Sequence, residues 1–204
     1  MAEGRLGQPV AGVSRRDRVG ATMRLSLDEF ETGVETIGGD SVVYDVANDL
    51  ALYGAASVEG HALVWQLDDT PDEAEGALLS RRVQLDPFVD WIVRCDRVDF
   101  PPGGIAYTHT HPGPGIRYLL HGELDVRTEG RVVSYGPGGA WFESGPDPVL
   151  ATASAHLPTA FVRVLILPAE WAGKRTIRYV DPADDDLLKL QKATIYLEHP
   201  LHLR

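Results

Sequence analysis

The sequence predicts an all-β protein in which many short strands close into a sandwich or barrel, and three observations lead there. Segments rich in β-branched and aromatic residues follow one another from Trp91 to Leu167. Gly- or Pro-containing turns separate them, among them Pro101-Pro102-Gly103-Gly104, in a chain with 21 Gly and 14 Pro. Short strands at regular spacing with turn signals between them mark such folds. At 204 residues and 44% hydrophobic, the chain is also sized for one core that needs no covalent staple.

Taken in order, residues 1–22 are rich in Gly, Ala and Arg without an apolar period, which predicts a poorly ordered extension. Residues 23–87 form a β-rich N-terminal flank. In it Ser26 caps a short helical turn over Asp28-Glu29-Phe30-Glu31. Residues 41–46 and 62–67 are strands, and 68–73 is an acidic turn. Residues 88–168 form the barrel, with strands over 91–100, 116–126, 131–135, 140–143, 149–152 and 161–167. In the C-terminal flank, 169–204, Asp181 to Asp186 starts a short helix that carries Leu187, Leu188 and Leu190, and 194–198 is a last strand.

Charge and composition narrow the function classes. Thirty acids against 19 bases give a formal net charge of −11, which argues against non-specific binding to nucleic acid or acidic membranes. Cys95 is the only cysteine, so an intramolecular disulfide and a Cys-cluster zinc site are excluded. No apolar run approaches the roughly 18 residues of a membrane span, and residues 1–22 hold no apolar signal-peptide core, so the expected location is cytoplasmic. There is no GxSxG elbow, phosphate-binding glycine loop or HExxH.

The stretch that carries chemistry is GGIAYTHTHPGPGIRYLLHG, residues 103–122. On an extended segment His109 and His111 point to one face, with Thr110 on the other, so both imidazoles reach a single ion. Imidazole pairs suit zinc, iron, copper, nickel or manganese, usually with one or two further ligands. The segment resembles the first motif of the cupin superfamily, in which a glycine, an HxH pair, a glutamate and a closing glycine recur at set spacing. Gly103, His109, His111 and Gly122 fall on it in register, and Gly115 stands at the glutamate position. Gly138 opens a second, poorly matched motif, in which Ser144, Pro146, Val149 and Ala153 replace its proline, glycine, histidine and asparagine. The resemblance covers about residues 88–168. It implies a cupin-type double-stranded β-helix, a jelly-roll barrel whose interior holds one divalent metal ion, with flanking strands and a few short helices added here. Of the four usual ligands it places only His109 and His111.

Parity along the strand suggests what surrounds the pair. If position 115 faces the interior, so do Arg117, Leu119 and His121. A buried arginine needs a paired charge, supplied either by Glu143 or by an anionic ligand. Glu143 is alternatively a third metal ligand, giving two histidines and one carboxylate. Gly115 leaves a hole beside the ion, so Gly115→Glu is expected to tighten metal binding. Tyr107, His121 and Trp141 are the further substrate-contact candidates; His156, in a loop, and His199 and His202, in the tail, are expected to be solvated.

The leading expectation is a cupin-type metal-dependent enzyme acting on a small metabolite, an anionic one where Arg117 orients it. Its metal is Fe, Zn, Mn, Ni or Cu; Glu143 completes the site or acts as base, and Arg117 orients the substrate. The alternatives are a small-ligand-binding barrel that has lost its metal and a metal-independent epimerase or cyclase. A homodimer is also expected, because strands 41–46 and 194–198 read as open edges.

Overall fold

The computed structural model describes residues 20–69 and 76–203. Its first five strands are β1 (Ala21–Phe30), β2 (Val34–Asp45), β3 (Leu50–Val58), β4 (Ala62–Asp68) and β5 (Leu79–Leu85). They form one antiparallel sheet in the order β3-β2-β4-β1-β5. Eight more follow: β6 (Trp91–Phe100), β7 (Ile105–Thr110), β8 (Gly115–His121), β9 (Leu124–Thr128), β10 (Arg131–Tyr135), β11 (Ala140–Glu143), β12 (Val149–Ala153) and β13 (Thr159–Pro168). They divide into two facing sheets, β11-β8-β13-β6 and β10-β9-β12-β7. That alternation of eight strands between two sheets is the jelly-roll arrangement, so the structure is all-β with the predicted barrel. Two later strands, β14 (Arg178–Tyr179) and β15 (Lys192–Leu201), extend the sheets by pairing with β7 and β6.

Three layers result, and the middle one explains its own sequence. Along β13, Val162, Val164 and Ile166 belong to a core shared with Leu25, Leu27, Tyr44, Leu63 and Trp65 of the first sheet. The alternate residue Phe161 packs inside the barrel with Val98, Phe100, Leu119 and Trp141. Because both faces of β13 are covered, the strand reads as an almost unbroken apolar run, interrupted only by Arg163.

Several local expectations change. The expected helical turn over Asp28 to Glu31 is instead strand as far as Phe30: Leu25 and Leu27 are buried, and β1 is paired by β4 to its end and by β5 as far as Leu27. Tertiary pairing overrides the capping signal at Ser26. Residues 1–19 of the expected extension lie outside the described residues, and Ala21 and Thr22 already belong to β1. Strand 116–126 is broken into β8 and β9 at Gly122, whose φ of +82° suits glycine. A Cβ there would lie 2.4 Å from Thr159 Oγ1. Asp181 does cap a helix, accepting from the Ala183 N–H, but it is a single 3-10 stretch, Pro182–Asp186, and Leu188 and Leu190 lie beyond it. Strand 41–46 lies within β2, between β3 and β4, and is not an edge. No helix among the described residues is long and apolar enough to cross a membrane.

Candidate functional site

The barrel encloses a cavity of about 620 Å³, and His109, His111, Trp141 and Glu143 all line it. How β7 delivers His109 is not simple alternation. Val149 of β12 pairs with His109 while Ala151 pairs with Ala106, so three steps on β7 face two on β12. This bulge puts both Ala106 and His109 on the cavity wall and turns Tyr107 off it. The expected substrate role of Tyr107 is therefore corrected: its side chain does not line the cavity, and its backbone carbonyl instead lies 2.6 Å from His109 Nδ1.

Both imidazoles are buried and held by their Nδ1 atoms. His109 Nδ1 donates to the Tyr107 carbonyl, and His111 Nδ1 lies 3.2 Å from Thr176 Oγ1. The two Nε2 atoms then converge 3.2 Å apart. Two nitrogens about 2.1 Å from one ion stand about 3.0 Å apart at a right angle and about 3.4 Å apart at a tetrahedral angle, which brackets this spacing. Burial lowers the His109 pKa, opposed by the Glu143 charge and the Tyr107 carbonyl. Burial and the charges of Arg163 and Arg117 press His111 well below its ordinary value. Both rings are thus neutral at pH 7, the form that ligates metal.

Glu143 reaches the same place from β11. Its Oε1 accepts from Trp141 Nε1 at 2.9 Å, and its Oε2 lies 2.7 Å from Arg117 Nη2 and 3.6 Å from His111 Nε2. The Arg117 contact is an ion pair without hydrogen-bond alignment, so buried Oε2 keeps unshared acceptor capacity beside the imidazoles. Arg117 faces inward as parity requires, yet it is fully buried behind Glu143, donates Nη1 to the Gly115 carbonyl and does not line the cavity. Burial lowers its pKa to about 10, with Glu143 opposing the shift. Its expected role in gripping substrate is corrected to that of counter-charge for Glu143.

Position 115 is corrected as well. A Cβ on Gly115 would lie 2.4 Å from the Val164 carbonyl oxygen and 2.7 Å from Leu165 Cδ2, so no hole exists for a glutamate there. β13 fills that space, and Gly115→Glu is expected to disrupt packing rather than add a ligand. Val149 is buried and lines the cavity where the second-motif histidine was sought. His121 is the exposed last residue of β8 and does not line the cavity. His156 is exposed; His199, expected to be solvated, stacks on Tyr53 with centroids 3.7 Å apart.

Three residues that sequence reasoning missed complete the site. Arg163 of β13 lines the cavity with Nη1 3.5 Å from His111 Nε2, and its Nε donates to Asp96 of β6 at 2.6 Å. A lone arginine inside an apolar strand was the available signal. Thr176 is buried, and its preceding neighbours give no pattern that marks it. With Arg117 paired to Glu143 and Arg163 to Asp96, the donor set is two neutral imidazoles and one carboxylate. His109 and His111 are therefore disposed to share a divalent ion, and Glu143 Oε2 stands 3.6 Å from His111 Nε2, although the three residues do not bring one ligand atom each within 4.8 Å of one another. Away from the cavity, Glu29, Glu31 and His61 are the one group among the described residues that brings three ligand atoms within 4.8 Å of one another, but Glu29 Oε1 already meets both Tyr118 Oη and His61 Nε2.

No family model matches the chain, and no curated protein matches it. Solved structures resemble it at low identity. An RmlC-like cupin from Shewanella frigidimarina is 18% identical over 38% of this chain and 68% of its own, with a TM-score of 0.35. The polyketide cyclase RemF from Streptomyces resistomycificus is 20% identical over 49% of this chain and 67% of its own, at 0.38. A variant of salicylate 1,2-dioxygenase from Pseudoaminobacter salicylatoxidans in complex with gentisate is 12% identical over 86% and 68%, at 0.39.

Proposed function

We propose that the chain is a cupin-type enzyme acting on a small molecule in the barrel cavity, with one divalent metal ion held by His109 Nε2 and His111 Nε2 and joined by Glu143 after a shift of its side chain. The observation that carries this reading is the convergence of the two Nε2 atoms, 3.2 Å apart, on the cavity wall, with Glu143 Oε2 3.6 Å from that of His111. A metal with open positions supplies Lewis acidity or an activated oxygen ligand. The protein's own groups set the stage for it. The Tyr107 carbonyl and Thr176 hydroxyl fix the two rings, and Arg117 steadies Glu143. Arg163, pinned by Asp96, presents Nη1 beside His111 and orients an oxygen of the substrate there. Trp141 and Phe161 wall the chamber and exclude water. The donor set suits Fe, Mn or Zn.

Elemental analysis of protein purified without an immobilised-metal column tests the reading. About one equivalent of a transition metal per chain is expected; less than about a tenth, persisting after incubation with iron, zinc and manganese, contradicts it. A second reading has its own support. With the Thr176 hydroxyl donating to His111 Nδ1, the His111 Nε2–H donates to His109 Nε2, and the site becomes a metal-free imidazole–carboxylate acid–base pair. Activity that survives chelators distinguishes it.

A further inference from the structure

We propose that the cavity takes a planar aromatic molecule with an anionic group, the ring system lying inside the barrel and the anion at the mouth. This rests on the cavity being the substrate site, but it does not depend on a metal.

The two barrel sheets line the cavity unequally. Phe100, Trp141 and Phe161 all come from the β11-β8-β13-β6 sheet, with Trp141 and Phe161 edge to face at 5.2 Å and Phe100 and Phe161 tilted at 6.0 Å. From the facing sheet the apolar lining comes only from Ala106, Val149 and Ala151, with His109 beside them. An aromatic wall opposite small side chains leaves a slot whose depth suits a ring, and aromatic contacts add to the burial of apolar area. Such walls offer almost no partners for the hydroxyls of a sugar, whose desolvation would go uncompensated. The polar atoms gather instead beside the segment that crosses the mouth. There stand the histidines, Glu143 and Arg163, with Thr176 of that segment 3.2 Å from His111 Nδ1.

At the mouth the charge is opposite to that of the chain as a whole. The sequence carries a formal net charge of −11. Yet between Gly173 and Gln191 the lining side chains include Lys174, Arg175 and Lys189 against one carboxylate, Asp185. A cationic rim on an acidic protein attracts and selects anions. Gln191, which also lines the cavity, buries its Oε1 without a hydrogen-bond partner and so accepts from a ligand hydroxyl. Together the slot, the rim and the polar groups beneath it describe an aryl carboxylate or similar anion with an oxygen substituent on the ring.

Calorimetric titration of the full chain in the presence of EDTA, with naphthoate, naphthol, decanoate and gluconate as probes, tests this. Naphthoate is expected to bind about tenfold more tightly than any of the others. Lys174→Ala/Lys189→Ala is expected to weaken naphthoate about fivefold and to leave naphthol unchanged, two exposed charges being worth a factor of a few. Decanoate or gluconate binding as tightly as naphthoate overturns the aromatic assignment, and an unchanged affinity in the double variant overturns the placement of the anion. Because chelator is present throughout, failure here leaves the metal reading standing, and failure of metal binding leaves this result standing.

Discussion

Replacing Glu143 by glutamine removes a charge while keeping shape and the hydrogen bond from Trp141 Nε1. What remains is Arg117, 0% exposed, with its Nη2 stripped of the carboxylate 2.7 Å away. The next carboxylate inward, Asp96, is already held by Arg163. Burial, with the nearby Arg163 charge, holds the guanidinium down at about 10 even with Glu143 in place, and Glu143 is the largest influence opposing that shift. Breaking a buried ion pair by removing one partner costs about 3–5 kcal/mol. In a chain of this size that lowers Tm by about 10 °C. Urea unfolding at pH 7.5 with EDTA present measures the loss free of any metal contribution. Arg117→Met/Glu143→Gln, which removes both charges, is expected to recover at least about 2 kcal/mol of it. A loss below about 1 kcal/mol in Glu143→Gln, or additive effects in the pair, would refute the reasoning that these two charges depend on each other.

Other perturbations probe the rest of the site. Gly115→Ala forces a Cβ to within 2.4 Å of the Val164 carbonyl oxygen and is expected to destabilise by about 1–3 kcal/mol in the same assay. Thr176→Val removes the partner of His111 Nδ1 and is expected to weaken metal affinity about tenfold, whereas Thr176→Ser retains it. The folded-state pKa values of His109 and His111 both lie below the unfolded value of about 6.5, so the unfolded chain takes up these protons first. Their contribution to stability is full above that pH and declines as pH falls through it; His109→Asn/His111→Asn should flatten that part of a stability–pH profile recorded in EDTA. The outer edges of β3 and β15 carry no further strand among the described residues, and light scattering is expected to give twice the 22.3 kDa chain mass at micromolar concentration. The mass of one chain contradicts that expectation.

What the sequence makes legible here is what is encoded locally. The HxH pair and the alternation around Arg117 depend on neighbours a few residues away. The barrel strands were readable for the same reason. The bulge that turns Tyr107 off the cavity was not, because it is defined by the partner strand β12. Nor was the role of Gly115, whose constraint comes from a backbone segment about fifty residues later in the chain. Arg163 and Asp96 lie on neighbouring strands, yet their pairing joins positions separated by 67 residues. Thr176 reaches His111 from a segment that crosses the mouth, and only tertiary structure brings it there. At β1 the capping pattern pointed the wrong way, since two flanking strands supplied backbone partners that a helical turn would have forgone.

The central claim is that His109, His111 and Glu143 act as one metal-binding set. Titration of the metal-stripped chain with Mn²⁺ and Zn²⁺ by calorimetry, alongside His109→Ala, His111→Ala and Glu143→Gln, tests it most directly, with circular dichroism confirming that each variant is folded. The account predicts one ion per chain for the wild type, no measurable binding in either alanine variant and binding weakened by at least about tenfold in Glu143→Gln. Equal binding by the wild type and both alanine variants, or none by the wild type, would contradict it.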